Sequence, residues 1–213
     1  MTNTLPRLSI FAHIAAVLLG ASVLSACGTN SIVANAAKAA FEDRLAEEQV
    51  VDAKIKTRIL DNNLDIDKAL LLDLSIDVWK TRVMITGALT DADQRSQIAR
   101  AALKDKRIGK LYNEIQVVST AELKQRREWR DKAEAGVDKA AEVIDDFWIE
   151  TKISAQLITT DNVSSVNYRW RAVLGTVYVI GEAQTAQELK TVLNVIKNIK
   201  GVKAVRNHIQ VRG

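Results

Sequence analysis

The chain has 213 residues, with 30 Lys and Arg against 26 Asp and Glu, two His and a single Cys. A net charge of +4 on that length falls far short of a nucleic-acid binder, though it slightly favours anionic surfaces. One cysteine excludes an intrachain disulfide, and neither histidine has a second histidine or cysteine near it to pair with on a metal.

In chain order, Arg7 supplies a positive start, Leu8 to Leu24 an apolar stretch, and Ser25-Ala26 a small-residue cleavage site. Cys27 closes this stretch, and Leu24-Ser25-Ala26-Cys27 resembles the lipobox of bacterial lipoproteins. The resemblance implies a signal peptide over 1–26, a thioether from Cys27 to diacylglycerol, and acylation of the new amine (palmitate). Each buried methylene of such chains is worth roughly 0.8 kcal/mol, so one chain holds weakly and two or three hold effectively permanently. Gly28, where an aspartate would signal retention, implies the outer membrane, with the protein on its periplasmic face. Removing 1–26 takes only Arg7 among the charges, and leaves enough chain for one ordinary domain or two small ones.

Residues 27–45 read as a tether, small and polar from Gly28 to about Ala40. Leu45, Val51, Ile55 and Ile59 then recur at helical spacing, and an aspartate-rich break follows over 61–68. Leu72, Leu74, Ile76 and Val78 alternate as in a strand with one buried face. Lys80-Thr81-Arg82 turns into a second strand, Val83 to Leu89; Thr90 and Asp91 offer caps for a helix to about Lys106, and a strand at 115–118 ends the unit. The same order returns: a helix over 145–158, strands around Tyr168 and over 177–181, a helix opened by Thr185 and Glu188 at capping-box spacing, and a last strand over 205–211.

This is an internal repeat. Val83, Gly87, Asn113 and Val117 each precede Val177, Gly181, Asn207 and Val211 by 94 residues, and Asn113-Glu-Ile-Gln-Val compares with Asn207-His-Ile-Gln-Val. The first helices are aligned at 98, Ile55 with Ile153, which implies four extra residues after the first helix of the first copy. The expected fold is therefore α+β: two tandem αββαβ modules at 46–118 and 145–213, each a three-stranded sheet packed by two helices. They are joined over 119–144 by a helical linker. Gly87 and Gly181 are expected to let neighbouring backbone approach the second strand closely.

At these residues the chain resembles the BON-domain family, whose module is αββαβ with a glycine in the second strand. With the lipobox, the pair of modules resembles the dual-BON outer-membrane lipoproteins of the DolP type. The resemblance is strongest over Phe147 to Thr160 and over Gly201-Val-Lys-Ala-Val. The first copy departs from it, with Thr81 in place of the hairpin glycine Gly175 and Arg107 in place of Gly201.

No glycine-rich phosphate loop, paired metal ligands or Ser-His-Asp arrangement can be assembled, so neither enzyme activity nor a metal or cofactor is expected. His208 reads as a strand-face residue. The informative stretch is the helix 145–158. Ile149, Ile153 and Leu157 share its core face, while Ile144, Phe147, Trp148, Thr151, Ala155 and Ile158 lie opposite with no charge among them, and Glu150 and Lys152 sit on the flanks. Three occupants compete for this second apolar face: phospholipid, another part of the chain, or partner protein. Lys197, Lys200, Lys203 and Arg206 lie nearby in sequence. The family resemblance implies anionic phospholipid, bound through Phe147, Trp148, Thr151, Lys152, Ala155 and Ile158 in support of envelope integrity. The other class is a periplasmic protein-binding module, chaperone-like or accessory to outer-membrane assembly or division proteins. In the linker, Lys124, Arg126, Arg127 and Arg130 flank Trp129 but alternate with acids, as in a solvated helix with i,i+4 pairs. If the lipobox reading holds, Cys27→Ser yields an uncleaved or soluble form; labelled palmitate entering that variant would refute it.

Overall fold

The computed structural model describes residues 40–64, 72–134 and 146–213. The signal segment, Cys27, most of the tether, Ile144 and linker residues 135–144 lie outside the described residues. Glu42–Gly213 form one compact unit. The first module runs α1 (Ala46–Leu64), β1 (Leu74–Trp79), β2 (Arg82–Leu89), α2 (Ala92–Ala102) and β3 (Lys110–Val117). The linker helix α3 spans Thr120–Glu134. The second module runs α4 (Asp146–Thr159), β4 (Tyr168–Val173), β5 (Thr176–Ala183), α5 (Ala186–Lys197) and β6 (Ala204–Val211). Each sheet has three strands, with the second central, antiparallel to the first and parallel to the third. The fold is α+β, with helices packed on each sheet.

Local chemistry explains the elements. Asp91 caps α2 by accepting from the amides of Asp93 and Gln94, and Thr185 caps α5 by accepting from Glu188 N. The Glu188 carboxylate accepts from Gln184 N and Ser164 N, one residue beyond the N-cap amide that a capping box uses. α1 lays Ile55 and Ile59 on Ile76, Val83 and Ile85; α4 lays Ile149, Ile153 and Leu157 on Tyr168, Val177 and Val179. Leu45 does not join the α1 stripe and is 69 % exposed, and Leu72 precedes β1 rather than opening it.

Two aspartates correct the alignment of the first helices. Asp52 accepts from the amides of Lys80 and Thr81 at 2.7 and 2.8 Å, and Asp146 accepts from those of Leu174 and Gly175 at 2.9 Å each. The offset is 94 here too, so Ile55 matches Ile149 and no extra residues follow α1. A four-residue slip is about one helical turn, which preserves the apolar face and hides the error from periodicity. The same bonds explain the missing hairpin glycine. Thr81 takes φ 62° and Lys80 φ 48°, as Gly175 and Leu174 take 81° and 52°, and the carboxylate holds both turns. In place of the glycine turn at Gly201 (φ 94°), Asp105 accepts from the Arg107 amide.

The expectation of one buried face for the first strand is overturned, since the last four residues of β1 are all buried. All eight residues of β2 are buried, and so are seven of eight in β5. The helices cover one face of each sheet, and the other faces meet. Trp79, Met84 and Ala88 pack against Val173, Tyr178 and Ile180, with Leu123 of α3 closing the cluster. The order is therefore helices, sheet, sheet, helices. The sequence signal was the uncharged, mostly apolar run of β2, Val-Met-Ile-Thr-Gly-Ala-Leu, which reads as a strand buried on both sides.

Polar groups set the docking. Arg82, buried, donates to the carbonyls of Gly181 and His208 at 2.7 and 2.8 Å. Asp77 pairs with Arg171, and Glu114 with His208 at 2.9 Å; both pairs join positions 94 apart. His208 stacks on Tyr112 at 3.9 Å, and burial lowers its pKa despite Glu114. Lys80 and Arg212 both bind Glu182, holding its carboxyl below the usual range against the cost of burial.

Residues 42–44, within the segment 27–45 expected to be a tether, are held by both modules. Glu42 binds Arg44 and Arg169, and Arg44 binds Asp52 and lies 4.2 Å over the Trp79 ring. Asp43 exchanges hydrogen bonds with Asn167 and accepts from Gln184, and its carbonyl accepts from Arg212.

Gly87 and Gly181 sit where β2 and β5 meet the entry to the preceding strand. A Cβ on Gly87 would lie 2.1 Å from Asp73 O, and one on Gly181 2.2 Å from Asn167 O. Gly87→Val and Gly181→Val should each cost about 1–3 kcal/mol, as overpacking does. The shared inter-sheet core predicts one calorimetric transition lowered by either variant; two separable transitions would contradict it.

Candidate functional site

The outward face of α4 is open. Phe147 and Ile158 are 61 % and 69 % exposed, and Thr151, Lys152 and Ala155 are exposed between them. Among the described residues, neither the first module nor α3 covers this face. Trp148 differs from its neighbours: it is half-buried and packs on the second module's core, with the Lys152 ammonium 5.4 Å from its ring. Glu150 does not flank the face. Its carboxylate accepts from Ala172 N at 2.8 Å and lies near Arg171, and burial raises its pKa.

Hydroxyls on this helix are tied back to its own backbone. Thr151 Oγ1 donates to Phe147 O at 2.9 Å, Thr159 Oγ1 to Ala155 O at 3.1 Å, and Thr160 Oγ1 to Gln156 O at 2.7 Å. The face therefore carries little unmet hydrogen-bonding demand of its own. A lysine lies near its start. Lys203 N bonds to Gly175 O, in the turn that Asp146 caps, so Lys203 belongs with the start of α4; Lys197 ends α5, and Lys200 follows it. Arg206 departs from this group, because it is in register with Tyr178 on the side facing the other sheet.

The first-module counterparts, at the corrected offset, are Ala53 for Phe147, Lys54 for Trp148, Thr57 for Thr151 and Arg58 for Lys152. The linker's cations are held by the chain. Arg127 and Arg130 pair with Asp73, Arg126 with Asp146, and among the described residues Lys124–Glu128 is the one expected i,i+4 pair that forms. Among the described residues, no three His, Cys, Asp or Glu are grouped to hold a metal, and no helix is long and apolar enough to cross a membrane.

Residues 145–213 match the BON domain family. An uncharacterized protein in the gshII 5′ region of Anaplasma centrale is 30 % identical over 139 residues, covering 65 % of this chain and 82 % of that protein. This chain belongs to that protein's family, and its C-terminal module is a BON domain. CdsD, a structural protein of the type III secretion system of Chlamydia trachomatis, is 8 % identical at a TM-score of 0.30, over 75 % of this chain and 92 % of that one. Its C-terminal domain gives 10 % and 0.29, over 66 % and 91 %. Likeness at that level carries no argument. The open helix face thus belongs to the BON domain. Since Trp148 is part of its core, Trp148→Ala should lower its stability by about 2 kcal/mol, while Phe147→Ser should leave the melting temperature nearly unchanged.

Proposed function

We propose that this is a lipid-anchored protein of the outer membrane's periplasmic face, of the dual-BON type. On this reading it binds anionic phospholipid through the BON domain and so supports envelope integrity. The observation that carries the reading is the pair Phe147 and Ile158, large apolar side chains left exposed on a helix whose Thr151 and Thr159 hydroxyls bond its own backbone. The first αββαβ unit, with the same strand order and the same aspartate-held turn, supports counting it as a second BON module.

The mechanism is adsorption. Phe147 and Ile158 enter the headgroup boundary, Lys152 and Lys203 meet phosphates, and no bond is made or broken. Trp148 stiffens the platform and presents its outer edge to the interface.

The test is binding of residues 28–213 to vesicles of phosphatidylglycerol and phosphatidylethanolamine. A charge near hydrocarbon costs less at the interface than the roughly 2.5–3.5 kcal/mol of a membrane centre. Phe147→Glu and Ile158→Glu should therefore each weaken binding about tenfold, without loss of fold. Equal binding by both variants would sink the proposal.

A further inference from the structure

The first module carries a different surface at the place where the BON domain exposes its apolar helix face. A groove of about 430 Å³ runs along the outside of α1, lined by Val50, Ala53, Lys54, Thr57, Arg58, Asp61 and Arg107. Its floor is apolar or methyl-bearing (Val50, Ala53, Thr57), and Thr57 donates its hydroxyl to Ala53 O. Its rim carries Lys54, Arg58 and Arg107 against Asp61, with Arg107 paired to Asp105, so cations outnumber acids.

Arg107 is held in place. It donates twice to Asp105, at 2.9 and 2.6 Å, and once to the Lys54 carbonyl at 3.4 Å, so the loop after α2 closes over α1. Lys104 and Lys106, both exposed, extend the charge along this loop. The corresponding residues of the second module are Trp148 for Lys54, Gly201 for Arg107 and Asn198 for Lys104. One scaffold therefore presents two faces of different chemistry.

Geometry separates their partners. Helices lie on the outer sides of two sheets packed face to face, so α1 and α4 look in opposite directions. A flat surface touching α4 cannot also touch α1. The α1 surface is an open, shallow trough in which exposed cations alternate with apolar and methyl-bearing positions, a pattern that an amphipathic segment carrying carboxylates complements. From Val50 to Asp61 it spans roughly 16 Å, about three helical turns. We propose that this groove docks an acidic amphipathic helix of a partner protein, with apolar side chains on Val50, Ala53 and Thr57 and carboxylates on Lys54, Arg58 and Arg107.

The test uses the full-length protein in detergent and a fluorescein-labelled 14-residue peptide with Leu on one helical face and Glu on the rest. Anisotropy should report binding that weakens at least tenfold in Lys54→Glu/Arg58→Glu and at high salt. Lys132→Glu/Lys190→Glu, the same charge change at exposed lysines elsewhere, should bind as the parent does. Lys54→Ser/Arg58→Gln repeats the test should the reversal perturb folding, which circular dichroism would reveal. Peptide binding that ignores both groove variants would overturn the proposal. So would loss of phosphatidylglycerol-vesicle binding in those variants with the peptide still bound, since the groove would then be a membrane surface.

Discussion

The contact between the two sheets is the constraint on which the rest of the structure depends. A three-stranded sheet with helices on one side leaves a whole face of strand for water or another surface. Here that face is satisfied internally, and β2 and β5 become the dry centre of one body. The consequence reaches outward. Because the sheets consume each other's free faces, what the molecule can offer to partners is pushed to its helical sides, and those sides point apart.

The docking is also specific, and its chemistry shows how. Asp77 meets Arg171 and Glu114 meets His208, each residue facing its own counterpart in the repeat. Such self-facing positions are what an approximate two-fold axis produces. In a symmetric pair of identical modules they would set Asp against Asp and Glu against Glu, or Arg against Arg. The two halves instead place an ion pair, Asp77–Arg171, and a hydrogen-bonded pair, Glu114–His208, at these positions.

Much of this was legible in the sequence. Alternation, caps and the constant 94-residue offset locate the strands and the repeat, because those signals are local. The docking was not legible as such, since no local rule says what an apolar strand face will meet. Yet the both-sided burial of β2 was written in its uncharged, mostly apolar run, and the opposite charges at Asp77 and Arg171 were visible at the repeat spacing. The helix register was misread because the i,i+4 pattern is blind to a one-turn slip; only the Asp52 and Asp146 carboxylates, acting on a distant turn, fix it. For the exposed face, composition identified Phe147 and Ile158 correctly as apolar positions on the outer stripe. It could not separate them from Trp148, whose ring folds onto the core, or see that Glu150 turns inward to Ala172.

The short segment Glu42–Arg44 has a mechanical meaning. It leads into the first module, yet its backbone and side chains are also bound by Asn167, Gln184, Arg169 and Arg212 of the second. A pull on the chain ahead of it would not reach α1 alone. The load would divide between both modules, through several short polar bonds that must break together rather than in turn. Tension arriving from that side would thus load both modules at once rather than α1 alone.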